Sequence, residues 1–198
     1  MMKEMTDIVF ALTGDTLPAD HAYAVWREAV RILPWLESEP AAGILPLRAP
    51  ERGDGLLLSR RARLILRVPA AAAAEVARLR GQVLDVGGHA LSVGEGRERP
   101  LQPAPTLHAQ LVASAAGEGA FMEAMDAELR KSGIAGKLIC GKRHVLPGSG
   151  GKIAGYSLVA HELKPEDALS LQCCGLGGER HFGCGMFIPY KVIANLDG

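Results

Sequence analysis

The sequence predicts an α+β protein in which one six-element pattern, strand-helix-strand-strand-helix-strand, occurs twice in tandem. Two observations lead to this reading. Short apolar runs of strand length alternate with helical-period segments in the same order on either side of a proline-rich stretch. The second half also closes on a glycine-rich loop, Cys173 to Tyr190, in which five of eighteen residues are glycine. The six-element order is that of the ferredoxin-like fold. The expected division is residues 1–96, a linker at 97–105 carrying Pro100, Pro103 and Pro105, and residues 106–198.

In the first half, Asp7 to Leu12 reads as a buried strand, and Gly14-Asp15-Thr16 turns the chain. Pro18 suits the first turn of a helix in which Ala22, Val25, Trp26, Ala29, Val30 and Leu33 form one apolar face, closed by Pro34. Gly43 to Leu47 and Arg61 to Val68 read as the next two strands. In the latter, Arg61, Arg63 and Arg67 occupy alternate positions and share a face with Ile65. Ala70 to Leu79 reads as a helix between Pro69 and Gly81, and Val83 to Val93, broken by Gly87-Gly88, as the fourth strand.

The second half repeats the order. Leu107 to Ala113 is a strand, and Ala120 to Ser132 a helix ended by Gly133. Lys137 to Leu146 and Lys152 to Leu163 form a hairpin across the turn Gly148 to Gly151. Pro165 to Leu171 is a short helix, and Met186 to Ile188 a final strand stopped by Pro189.

Composition narrows the functional classes. Hydrophobic content of 48% and charged content of 22% are those of an ordinary globular chain. No run reaches the roughly 18 apolar residues of a membrane span. The N-terminus lacks an apolar signal segment, so the expected location is the cytoplasm. Cys140, Cys173, Cys174 and Cys184 are then expected to be reduced, and their spacing is not the paired C-x-x-C of a zinc site. No metal or cofactor is expected. Formal net charge is zero, but charge is segregated. Arg130 to Lys152 holds six cations and no carboxylate, whereas Glu118 to Glu128 holds four carboxylates.

The glycine loop fits neither common phosphate motif. Arg180 stands where a dinucleotide fingerprint needs its third glycine, and Leu146 and Ile153 flank Gly151-Lys152 where a P-loop needs glycine and Ser or Thr. Bare backbone N–H groups can still cradle an anion, with Arg180 and His181 inside the run; the alternative is a glycine-rich turn without a ligand.

Two stretches carry a family resemblance. Gly175-Leu-Gly-Gly-Glu-Arg-His-Phe-Gly-Cys-Gly185 resembles the C-terminal loop of the RAMP superfamily of CRISPR-associated proteins. Leu17-Pro-Ala-Asp-His-Ala-Tyr-Ala-Val25 and Leu33-Pro-Trp35 resemble the branch that cuts CRISPR repeat RNA, the sixth Cas protein, in its myxobacterial-type form. The resemblance implies a metal-independent endoribonuclease that cleaves precursor CRISPR RNA within its repeats, leaving 5′-hydroxyl and 2′,3′-cyclic phosphate ends. Repeat RNA is the implied partner, with other Cas subunits of a type I interference complex beside it. Some relatives use an arginine-rich helix for hairpin binding, whereas the matching helix here carries Glu123, Asp126 and Glu128.

Among the six histidines, His21 stands in the first turn of the leading helix, where the positive helix end favours neutral imidazole. With the resemblance, this makes it the expected general base, and Arg180 or a hairpin lysine the expected stabiliser of the phosphate. The expected RNA contacts are Lys137, Lys142, Arg143 and Lys152 of the hairpin, and Gly175, Gly177, Gly178, Arg180, His181, Gly183 and Gly185 of the loop. His144 is expected to be an RNA contact or a strand residue. Tyr23 and Trp26 are expected in the core, and His89, His108 and His161 in structural roles. The aromatic strand of an RNA-recognition motif is absent, so phosphate and shape contacts are expected in place of stacking on a sheet. Two other readings remain: a non-catalytic RAMP-type guide-RNA subunit, and an interaction or small-molecule module without RNA.

Overall fold

A computed structural model describes residues 2–53, 55–148 and 151–190. The elements are β1 Met5–Thr13, β2 Thr16–Pro18, α1 His21–Ile32, β3 Gly43–Ile44, β4 Glu51–Arg52, β5 Gly55–Leu57, β6 Arg63–Pro69, α2 Ala73–Val76 between two 3₁₀ turns, β7 Val83–Val86 and β8 His89–Pro100. They continue with β9 Leu107–Ala113, α3 Glu118–Lys131, β10 Lys137–Gly148, β11 Gly151–His161, α4 Pro165–Cys174 and β12 Ile188–Pro189.

Both halves build the same sheet. The first is ordered β3-β6-β1-β8-β7 and the second β10-β11-β9-β12. All pairs are antiparallel. Reduced to four main strands, each reads second-third-first-fourth, the ferredoxin-like order twice over. Alternation along the strands sorts side chains by face. Ile8, Phe10 and Leu12 of β1 and Leu64, Leu66 and Val68 of β6 pack with Val25, Trp26 and Ala29 of α1 in one core. Leu107, Ala109, Leu158 and Ala160 pack against Phe121, Met125 and Leu129 of α3 and Ala168 and Leu171 of α4 in the other.

Four expectations change. First, Val83–Val93 is not one strand. Gly87 and Gly88 both take positive φ, 61° and 87°, and form a tight hairpin, so β7 is an added edge strand. Second, β8 continues to Pro100, paired with β1 as far as Thr6, so the connection between halves starts at Leu101. The prolines of 97–105 suggested a linker, but its first residues belong to the charged run Glu95 to Arg99, an exposed strand edge where charges discourage further pairing. Third, β3 is only Gly43–Ile44.

The fourth change concerns the cations of β6. Arg63 is exposed, but Arg67 is completely buried. Its Nε and Nη2 donate to the two carboxylate oxygens of Asp7 at 2.7 and 3.1 Å, and its Nη1 donates to the carbonyls of Phe187 and Gln172 at 2.7 and 3.2 Å. Arg99 adds a third bond to Asp7 at 3.0 Å. One ion pair in the first half is thereby tied to main-chain carbonyls of the second.

The β10–β11 hairpin pairs as far as Gly148 and Gly151, with a register shift between Cys140 and Arg143, while its turn residues 149 and 150 lie outside the described residues. No helix among the described residues is long and apolar enough to cross a membrane.

Candidate active site

His21 is the first residue of α1. Its Nδ1 lies 2.9 Å from the carbonyl of Pro18. A carbonyl can only accept, so Nδ1 carries the hydrogen and Nε2 of the neutral ring carries a lone pair. The side chain is half-buried. Burial pushes its pKa below the usual histidine value, against smaller opposing contributions from the Pro18 carbonyl and the Asp20 charge. Both effects describe a neutral imidazole with one free acceptor nitrogen.

Around His21, Val25 of α1, Leu45, Pro46 and Leu47 of the segment after β3, and Phe182 of the glycine loop line a small cleft. The structure therefore brings the two stretches that sequence marked, the leading helix and the glycine loop, to one place. The contribution of residues 44–47 was not anticipated. They read as a plain strand, and no residue there carries a charge or a nucleophile.

The glycine loop reaches that place by fastening onto the first half. The Arg180 Nε donates to the carbonyl of Ala41 at 2.6 Å, and its Nη2 to those of Cys173 and Gln172 at 2.9 and 3.3 Å. Burial, with Arg67 nearby, lowers its pKa to about 10, so it stays charged at neutral pH. His181 stacks on Trp26 with centroids 4.2 Å apart and donates from Nε2 to the Glu39 carbonyl at 3.2 Å. Phe182 lies tilted against Tyr23, centroids 5.8 Å apart.

These contacts turn the Arg180 Nε and Nη2 and the His181 Nε2 to main-chain carbonyls, while the Arg180 Nη1 is buried without a hydrogen-bond partner. They also move Tyr23, 38% exposed, out of the core and onto the rim beside Phe182. Trp26 is core as expected, and His89 has a structural bond to the Thr16 hydroxyl at 2.9 Å.

The loop glycines follow the same logic. Gly175, Gly177, Gly183 and Gly185 all have positive φ. A Cβ on Gly185 would collide with the Leu176 carbonyl, one on Gly175 with Arg180 and the Gly185 carbonyl, and one on Gly177 would sit 2.9 Å from Val112. At Gly183 it would sit 2.6 Å from the Ile44 carbonyl. At each of these four glycines the space a Cβ would take is filled by protein backbone or side chain. Gly178 alone in the loop faces open space. Gly183→Val is accordingly expected to lower the thermal midpoint by several degrees, whereas Gly178→Ala leaves it unchanged. Equal melting curves for Gly183→Val and the native chain would return the loop to a ligand-facing role.

The hairpin cations also divide. Lys137 is paired with Glu162 at 2.9 Å. Arg143 lies over the Tyr156 ring, 5.5 Å from its centroid, and donates to the Tyr156 hydroxyl at 3.0 Å. Lys142, His144 and Lys152 are exposed.

The buried Asp7–Arg67 pair escaped sequence reasoning altogether. Its trace was a single acid, Asp7, in an apolar strand, while Arg67 was one of three arginines at alternate positions of another.

Comparison with known proteins supplies the remaining evidence. The family model described as Cas6 Crispr matches residues 6–192. The CRISPR-associated endonuclease Cas6 of Myxococcus xanthus (strain DK1622) is 35% identical over 185 residues, covering 92% of this chain and 80% of that protein. Among solved structures, a CRISPR associated protein Cas6 superposes with a TM-score of 0.73 at 13% identity, over 95% of this chain and all of the other. A RAMP protein described as binding different RNA substrates follows at TM-score 0.67 and 15% identity, over 94% of this chain and all of that one. At such identities the structural matches speak to the fold.

Proposed function

The chain belongs to the Cas6 family of CRISPR-associated proteins, and on that premise we propose that it is an endoribonuclease that cuts precursor CRISPR RNA within its repeats, using His21 as general base and no metal. The observation that carries the reading is the His21 arrangement. Its Nδ1–H is held by the Pro18 carbonyl, which leaves Nε2 as a neutral acceptor in a cleft between the leading helix and the glycine loop.

RNA contains its own nucleophile. Nε2 takes the proton of a 2′-hydroxyl, the 2′-oxygen attacks the adjacent phosphorus, and the bond from phosphorus to the 5′-oxygen breaks. The departing oxygen takes up a proton. The products are a 2′,3′-cyclic phosphate and a 5′-hydroxyl. Lys137, Lys142, Arg143 and Lys152 of the hairpin are all exposed and can meet phosphate, Lys137 and Arg143 by giving up their contacts with Glu162 and Tyr156; Gly178 is the loop glycine with open space beside it.

Incubation with the repeat RNA encoded beside the gene, in excess chelator, tests the proposal. The expected result is one cut per repeat with those two end groups. Binding without cutting in chelator, restored by a divalent cation, would overturn the metal-free mechanism. Binding without cutting under any condition would make the chain a guide-RNA-holding subunit.

A further inference from the structure

The open face of the second sheet carries a feature that the cutting reaction does not use. Leu107, Ala109, Leu158 and Ala160 point toward α3 and α4, so the residues alternating with them point away. In register across four strands, Ile188 pairs with His108, His108 with Val159, and Val159 with Ile139. Ile139 is 53% exposed. At the end of this row stands Tyr190, 48% exposed, its ring tilted 47° to that of His108 with centroids 5.6 Å apart. The backbone of Tyr190 is pinned, since its N–H donates to the Thr106 carbonyl at 3.0 Å. An aromatic pair bordered by aliphatic side chains is thus presented outward.

Basic side chains border it. Arg48 and His144 are both exposed, and both lie close enough to His108 to contribute to the lowering of its pKa, after the larger effect of burial. Arg48 directly follows Leu47, which lines the His21 cleft. The cleft and the aromatic pair are therefore joined by one short piece of chain.

We propose that His108 and Tyr190 form a stacking platform for one unpaired base of the RNA, close to the bond cut at His21. The proposal rests on the RNA-cutting reading above. The chemistry selects a nucleotide because a π-face with adjacent positive charge suits a base and its phosphate together. A linear aromatic motif would not reveal this platform, since its two rings come from β9 and from the residue after β12. The proposal departs from the expectation that RNA gains no stacking on a sheet and that His108 is structural.

The experiment uses the full chain and a set of repeat RNAs, each with one abasic nucleotide within a few positions of the cut. Affinities are measured for the native chain, Tyr190→Ala, Tyr190→Leu and Tyr190→Phe, with uncleavable RNA carrying a 2′-deoxy nucleotide at the cut. Stacking of one base on an aromatic ring corresponds to roughly 5- to 150-fold in affinity. Tyr190→Ala and Tyr190→Leu are expected to lose that much on intact RNA, and Tyr190→Phe less than about twofold. One abasic RNA should lose as much with the native chain and nothing further with Tyr190→Ala. Equal affinity of all four proteins for intact RNA would overturn the proposal, as would a loss of equal factor on every abasic RNA. A Tyr190→Ala chain that melts early leaves Tyr190→Leu to decide. Native cleavage in chelator is scored separately, so loss of the cutting reading and loss of the platform are distinguishable.

Discussion

His21→Ala is expected to slow cleavage of the repeat RNA at least about a hundredfold, the low end for removal of a general base, while affinity for the RNA stays near the native value. The asymmetry follows from the structure. His21 makes one hydrogen bond, to a carbonyl within its own turn, and removing it leaves α1 packed through Val25, Trp26 and Ala29. The pH dependence gives a second readout. A base works only when unprotonated, and burial holds His21 below the ordinary histidine value. The native rate should rise with pH along an acid limb whose midpoint lies below about 6.5, then level off through neutrality. Without His21 that limb should vanish from the residual rate. A native midpoint above 7, or an unchanged rate in His21→Ala, would assign the base to another group, with exposed His144 next to test.

The second large effect concerns stability. Asp7→Ala is expected to cost about 3–5 kcal/mol, because it leaves the guanidinium of Arg67 buried without a counter-charge. Against a typical total of about 5–15 kcal/mol, this is enough to bring the chain near unfolding at moderate temperature. Arg67→Met is expected to cost less. The Asp7 carboxylate keeps its bond to half-exposed Arg99, but the Phe187 carbonyl loses its charged donor. The double variant Asp7→Leu with Arg67→Met should recover part of the Asp7→Ala loss, since it removes both buried charges together. Thermal melting of the three variants measures the order. A cost below about 1 kcal/mol for Asp7→Ala would place the pair with ordinary surface ion pairs. Because Arg67 holds carbonyls at both ends of the glycine loop, at Gln172 and Phe187, Arg67→Met should also disturb the placement of Phe182 beside His21.

What the sequence determined by itself was everything written in local period and punctuation. The apolar stripe of α1, the strand runs of β1, β6, β9 and β11, and the proline and glycine stops were enough to state the order of elements. That order, read twice, is the framework found, to which the edge strand β7 and a small β2-β5-β4 sheet are added. His21 was legible for the same reason: it stands one residue past a turn and at the start of an amphipathic helix, so its place on the helix is a matter of counting. The boundary read from prolines was placed too early. Arg97 to Pro100 looks the same whether it opens a linker or ends β8, and only pairing with β1 distinguishes them.

Tertiary structure alone decided which polar groups face solvent and which face protein. Arg67 and Arg63 share alternate positions on one strand, yet one is buried and the other exposed, because the second half covers only one end of the sheet. Arg180, His181 and four of the five loop glycines look like a ligand cradle in one dimension. In three, Arg180, His181 and Gly183 clasp Ala41, Trp26, Glu39 and Ile44, well over a hundred positions earlier in the chain, while Gly175 and Gly185 abut their own loop and Gly177 abuts Val112. Likewise His108 and Tyr190, 82 residues apart, become neighbours only through the pairing of β9 with β12. Contacts between distant segments depend on how two independently patterned halves dock, and no local period encodes that docking.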